Sequence, residues 1–413
     1  MIYSGKQVQH QDISVKLFNV RNVTHIDWWL PMLVTALAVC GWVVMYSASR
    51  NTEVAYLTRQ ILFFAVGILV AFTFLCFDYR FLVSMGPFMY FIALSLLLLV
   101  IFFGSSAKGS ERWISLGFFR LQPSEYTKLI MVFFLTWYFT RIGERVKKLL
   151  WFAFTFILVA LPMALILKQP NLGTAASLGP LTLAMLYVAG CRRRHLAVVI
   201  VAGLCAVPVL WWQMKDFDPQ VVSDQRSFFD LKHYQKMRIY TYLHPEYDPQ
   251  GSGWHTLQSK ITIGSGGLTG KGYLKGTQTR LNYLPEHHTD FIYSLLAEEF
   301  GFVGAISVIA LFSLLLLRGL TFARDAVDLS GTLLATGVVV ILAFHIFVNI
   351  AITAGMMPVT GIPLPFLSYG GNFYMTTMAG MGVLLSVPLR KRNHLLAEMS
   401  VPVGHVELYT HGM

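Results

Sequence analysis

Long apolar runs, broken by short charged or Pro/Gly-rich stretches, dominate this chain. At roughly 20 residues per bilayer crossing, they predict spans at 29–48, 57–76, 82–103, 123–140, 149–167, 172–190, 196–214, 291–317, 332–355 and 366–389. The fourth and sixth carry polar residues near their starts. The expected architecture is an all-α polytopic membrane protein of about ten transmembrane helices, with a large outward-facing loop between the seventh and eighth. The chain then divides into an N-terminal segment 1–28, seven helices across 29–214 and the loop 215–290. Three further helices across 291–390 and a tail 391–413 complete it. The polar stretch ahead of the first span is too long for the n-region of a signal peptide and is followed by no A-x-A site. That span is expected to stay as an anchor.

Composition agrees and narrows the class. Of 413 residues, 55% are hydrophobic and only 13% charged, and the mean hydropathy is +0.58. A soluble domain carries about twice that charged fraction, so a disordered chain, a secreted disulfide scaffold and an ordinary cytosolic enzyme are excluded. Cys40, Cys76, Cys191 and Cys205 lie in or beside apolar runs, without CxxC or metal-type spacing. The formal charge of +11 could suggest nucleic acid, but no basic stripe interleaved with aromatics is present. It reads better as a topology signal. With the N-terminus inside, about sixteen Lys and Arg fall in inner segments and about six in short outer loops. Both termini are therefore expected in the cytoplasm, with segments 104–122, 168–171, 215–290 and 356–371 outside.

Those outer segments hold nearly every polar cluster outside the inner basic patches. In Leu121-Gln-Pro-Ser-Glu-Tyr-Thr-Lys128, Pro123 suits the first turn of a helix. Glu125 and Lys128 then form an i, i+3 pair, read either as a local ion pair or as charges aimed into a polar cavity. Ser124 and Lys128 lack the S-x-x-K spacing of acyl transfer. Gln169-Pro-Asn-Leu-Gly-Thr174 reads as a helix entry capped by Asn171. The Gly-rich stretch 263–278 departs from a P-loop at two positions and is expected to bring backbone close to a partner or ligand. Glu286, His287, His288 and Asp290 crowd the outer end of the eighth span. Asp290 either caps the following helix or serves as a general base at the membrane surface. Gly355–Gly371 carries too many prolines and glycines for one helix and is expected to line the same vestibule. His345 and Asn349, spaced i, i+4, read as an interhelical hydrogen-bond site more than a proton relay.

Taken together and in this order, these motifs resemble the SEDS family of bacterial cell-wall polymerases, whose branches include RodA and FtsW. The resemblance covers about residues 25–395. It is carried by Arg112-Trp-Ile-Ser-Leu-Gly117, Leu121-Gln-Pro-Ser-Glu125 with Lys128, Gln169-Pro-Asn-Leu-Gly-Thr-Ala175 and Gly264-Ser-Gly-Gly267. His288-Thr-Asp-Phe-Ile292, Glu298-Glu299, Gly361-Ile-Pro-Leu-Pro-Phe366 and Ser368-Tyr-Gly-Gly371 complete it. Gly276-Thr-Gln278 before Leu284-Pro-Glu286 looks like the RodA branch. Asn171 departs from the family's usual Asp, keeping the capping ability and losing the charge.

The resemblance implies a peptidoglycan glycosyltransferase that polymerises lipid II during cell elongation, with Asp290 matching the family's essential aspartate. Glu125 and Lys128 are implied catalytic partners. Arg112, Trp113, Gln122, Lys271, Glu286, His288 and Ser368 are candidate substrate-binding residues. A divalent cation (Mg or Mn) is a candidate cofactor, with no assigned ligands, and no organic cofactor is expected. Implied partners are a class B penicillin-binding protein acting as transpeptidase and other elongation-machinery proteins. The implied location is the bacterial cytoplasmic (inner) membrane. Two other readings stay open at this point: a lipid II flippase, and a non-catalytic scaffold for the penicillin-binding protein.

Overall fold

The computed structural model describes residues 26–49, 56–107, 110–115, 120–214, 233–244, 252–277 and 288–399. The first half runs α1 (Trp29–Ser49), α2 (Tyr56–Cys76), the short α3 (Tyr79–Ser84) and α4 (Gly86–Phe103). Three strands follow, β1 (Ser105–Ala107), β2 (Ser110–Ser115) and β3 (Arg120–Leu121), then α5 (Pro123–Ile142), α6 (Leu149–Lys168), α7 (Leu172–Val188) and α8 (Arg193–Met214). The second half comprises α9 (His233–Leu243), α10 (Ser252–Ser265), α11 (Ile292–Asp325), α12 (Leu329–Thr353) and α13 (Gly371–Met399). Among the described helices, α1, α2, α4, α6, α11 and α12 are long and apolar enough to cross a membrane. The chain is an α-helical multi-pass membrane protein.

Each expected apolar run coincides with a helix, and three of them are broken where local chemistry requires it. Asp78 caps α3 by accepting from the Arg80 N–H, and Gly86-Pro87 then open α4, where a proline is tolerated. The last run begins as non-helical chain, and α13 starts only at Gly371. α11 is interrupted at Gly301, whose φ of 65° and ψ of −164° lie outside the helical region.

That interruption is filled by the Gly-rich segment. The N–H groups of Lys271 and Gly272 donate to the Glu298 and Glu299 carbonyls at 3.0 Å each. In return, the N–H groups of Phe302 and Val303 donate to Gly267 and Leu268 at 2.9 and 3.1 Å. The broken helix thus recovers its backbone partners from another segment, as an apolar setting demands. Gly270 (φ 81°) and Gly301 face each other so closely that a Cβ on Gly301 would lie 2.2 Å from the Gly270 nitrogen. The close backbone approach expected of this stretch is made, and its partner is the protein's own helix.

Within the loop expected at 215–290, α9 and α10 are helical. α10 packs on α11 and α12, where Ser259 Oγ lies 2.7 Å from Ser294 Oγ and donates to the Thr353 carbonyl at 2.6 Å. The three strands form a small antiparallel sheet in the order β1-β2-β3, with Ile114 opposite Leu121. At the centre of the bundle, α5 is buried along almost its whole length against α4, α7, α12 and α13. α2 is the reverse case. Only Gln60, Gly67 and Leu75 of its residues are buried, and the rest of its apolar surface suits lipid.

At the end away from the sheet, Asp328 caps α12 through the Gly331 N–H (2.8 Å) and also accepts from Tyr79 Oη (3.1 Å) and Arg80 Nε (2.9 Å). Burial, and then the Asp328 carboxylate beside it, push the Tyr79 hydroxyl far above the usual phenol range, so it remains a donor. Arg390 donates to the Cys76 carbonyl at 3.1 Å, and Asp27 pairs with Arg318. These contacts tie α3 to α12, α2 to α13 and the start of α1 to α11.

Candidate functional site

Two polar centres lie between these helices. The first begins at the entrance to α5. Pro123 starts the helix, so Glu125 and Lys128 fall one turn apart on one side, and Lys128 Nζ donates to Glu125 Oε2 at 2.8 Å. Glu125 Oε1 accepts from Thr174 Oγ1 at 3.2 Å, and Lys128 Nζ lies 2.9 Å from His345 Nε2 on α12. A lysine ammonium only donates, so Nε2 accepts and the ring proton is assigned to Nδ1, facing the Pro363 carbonyl at 3.4 Å. Phe373 stacks on His345 and sits 5.1 Å below the ammonium. Lys128 is 1% exposed. The pair is therefore enclosed in the bundle rather than presented to bulk water. Beside it is a cavity of about 30 Å³ bordered by Lys128, His345, Phe373 and Thr376.

Asn171 caps α7 as its sequence position predicts, accepting from the Thr174 N–H at 3.3 Å. Its Nδ2 also donates to Ser124 Oγ at 3.1 Å, a bond that a carboxylate at this position could make only with the donor reversed. The cap survives without the charge.

The second centre is the turn 288–290. α11 begins at Ile292 with Phe291 in the cap position, so Asp290 stands one residue outside the helix, on a partly exposed turn. Several elements hold the backbone of that turn. Asn349 Nδ2 donates to the Asp290 carbonyl at 3.0 Å, Ser368 Oγ to the Thr289 carbonyl at 2.6 Å, and the Tyr369 N–H to the His288 carbonyl at 3.0 Å. The His288 ring stacks on Tyr56, with centroids 4.3 Å apart. From α2, the buried Gln60 donates to the Ser368 carbonyl at 3.1 Å. Gly361 (φ 73°) brings its loop beside the carboxylate, where an added Cβ would lie 3.7 Å from Asp290 Oδ2. The Pro/Gly-rich segment thus lines this centre.

The other predicted residues divide by what they touch. Arg112 Nε donates to the Gln169 carbonyl at 3.0 Å, and its Nη2 to the Pro170 carbonyl. The guanidinium therefore sits at the C-terminal end of α6, where a cation opposes the helix dipole. Trp113 is half-buried on β2, opposite Ser105. Gln122 precedes α5 and donates to Ser124 at 3.3 Å. Lys271 donates to Glu298 Oε1 and Thr277 Oγ1, both at 2.7 Å, 27 residues of sequence away from the first and six from the second. Ser368 is buried, and it also accepts from the Leu364 N–H at 2.8 Å. Glu286 and His287 lie outside the described residues. Among the described residues, no group of three or more His, Cys, Asp and Glu side chains could hold a metal ion.

Some contributors escaped the sequence reading. Gln60 and Tyr56 on α2, and Asn372, which accepts from Tyr126 Oη at 3.2 Å and donates to the Arg120 carbonyl at 2.7 Å, hold the two centres without belonging to any motif. A lone buried amide in a lipid-facing helix was the available signal for Gln60.

A multi-pass membrane protein with an enclosed ion pair and a carboxylate on a braced, partly exposed turn is thus defined by its own geometry. Residues 27–393 match the model of the cell cycle protein family of FtsW, RodA and SpoVE, and the chain belongs to that family. It is 36% identical over 370 residues to the peptidoglycan glycosyltransferase MrdB of Escherichia coli K12, covering 89% of this chain and 95% of that protein. Against the peptidoglycan glycosyltransferase RodA of Treponema pallidum it is 34% identical, covering 90% of this chain and 99% of that protein. A probable peptidoglycan glycosyltransferase FtsW of Trichlorobacter lovleyi is 36% identical, covering 87% and 92%. Among solved structures, one described as showing structural coordination of polymerization and crosslinking by a peptidoglycan synthase complex aligns with a TM-score of 0.74 at 31% identity, covering 89% and 98%. The crystal structure of Thermus thermophilus RodA aligns at 0.64 and 29%, covering 89% and 97%.

Proposed function

We propose that this protein is a peptidoglycan glycosyltransferase that polymerises lipid II into β-1,4 glycan strands at the outer face of the cytoplasmic membrane during cell elongation. The observation that carries the reading is the position of Asp290: a carboxylate outside its helix, on a partly exposed turn braced by α2, α12 and the 361–369 loop. In the proposed reaction, Asp290 takes the proton of the acceptor sugar's 4-hydroxyl. The oxygen attacks C1 of the donor chain as the bond from C1 to the diphosphate oxygen breaks. Inversion of an α-linked donor gives the β linkage, and undecaprenyl diphosphate leaves with the electron pair.

Proper placement of both substrates lowers the barrier of such a transfer. The half-buried Trp113 and His288 are proposed to contact sugar. Lys128 and Arg112, tied here to Glu125 and to helix carbonyls, contribute a positive field to the leaving diphosphate rather than an open binding surface. The two termini are proposed to lie in the cytoplasm, with ten spans and the 215–290 segment outside. A class B penicillin-binding protein is the proposed partner, in line with the synthase complex that the fold matches.

The test is polymerisation of lipid II by the purified protein with its penicillin-binding partner in liposomes. Glycan strands that vanish with Asp290→Asn, while partner binding persists, support the reading. Wild-type polymer from that variant overturns the assignment of the base.

A further inference from the structure

The i, i+4 pair His345 and Asn349 on α12 touches both polar centres. His345 contacts Lys128 on one side and the Pro363 carbonyl on the other. One turn along, Asn349 Nδ2 donates to the Asp290 carbonyl at 3.0 Å and to the Ile362 carbonyl at 2.7 Å. An amide nitrogen has two hydrogens, and both are used. Asn349 is fully buried, and its Oδ1 has no hydrogen-bond partner among the described residues. A buried acceptor left unmade is costly. The side chain is therefore held in this orientation by its two donors, since a flipped amide would set its oxygen against two carbonyls.

We propose that Asn349 is a positioning residue for Asp290. It clamps the backbone of the catalytic turn to the 361–363 loop, so the carboxylate beside Gly361 keeps one direction toward the acceptor. Phe291, which follows Asp290, packs with Val348, Ile352 and Ile362 in a small apolar cluster around the clamp, and this shields the two bonds from water. The clamp is rigid because α12 itself is anchored: Asp328 caps its start, and His345 is wedged between Lys128 and Phe373. The proposal rests on the reading of Asp290 as the base.

Asn349→Leu keeps the shape and removes both donors. The expected result, for complex purified as a monodisperse species, is a kcat for lipid II polymerisation reduced about 10- to 100-fold with KM changed less than about threefold. The pH–rate profile, normalised to each variant's own maximum so that lost folded protein does not move it, is expected to shift its acid limb by about half a unit or more. The groups that bear on this limb from the surrounding elements are His288, His255 (whose ring faces Phe291), His345 and Lys128. If Asn349→Leu yields no monodisperse complex, Asn349→Ser, with room for a bridging water, is read the same way. An unchanged kcat and profile overturns the proposal, as does a fall in apparent kcat with an unmoved profile. Asp290→Asn run in parallel separates the two readings: a dead Asp290→Asn beside a normal Asn349→Leu removes only the clamp, whereas an active Asp290→Asn removes the base.

Discussion

At the scale of single residues, enclosure decides what a charge can do. Glu125 and Lys128 were legible in the sequence as an i, i+3 pair, because helix geometry alone brings such positions together. Their third partner, His345, is 217 residues away, and no local spacing points to it. Breaking a buried pair from one side leaves an uncompensated charge, at about 3–5 kcal/mol. Lys128→Met and Glu125→Gln are therefore each expected to lower the thermal midpoint of the purified protein. The double variant is expected to recover much of that loss while polymerisation stays low, because the positive field at the site is gone. A double variant no more stable than the singles would show that the pair is not an energetic unit. Asp290 offers the opposite lesson. Sequence left it between a helix cap and a base, and in the structure Phe291, not Asp290, occupies the cap position.

At the scale of elements, hydrophobic runs located the helices but not their breaks. α11 reads as one span, since Gly301 alone costs a helix only about 1 kcal/mol. It is interrupted because the 267–272 segment supplies replacement hydrogen bonds from outside the run. Gly301→Ala is expected to destabilise the fold by about 1–3 kcal/mol from the positive φ alone, and more from the contact with Gly270. Circular dichroism melting of the detergent-purified variant checks this. An unchanged melt would mean that the splice is dispensable. The same non-local logic explains why the Gly-rich stretch tempted a ligand-binding reading: glycine marks close approach, and sequence does not say to what.

At the scale of the molecule, the two ends of the bundle differ in kind. One carries the ion pairs of Asp27, Arg80, Asp78 and Arg390; the other carries the small sheet, the 288–290 turn and the Pro/Gly-rich loop. If the first end faces the cytoplasm, a reporter active only outside the membrane should work when fused after residue 247 and fail after residue 413. The reverse pattern would invert the proposed topology and move Asp290 to the wrong side for an outer-face reaction. What the sequence by itself determined was the membrane class, the positions of the helical runs and the family, because the thickness of a bilayer and the cost of unpaired backbone in lipid constrain composition directly. The tertiary structure alone decided which polar groups meet. Gln60 reaches Ser368 across 308 residues, and Asn349 reaches Asp290 across 59. Such contacts depend on how helices pack, and packing between apolar surfaces leaves no periodic signature of which polar side chain will face which.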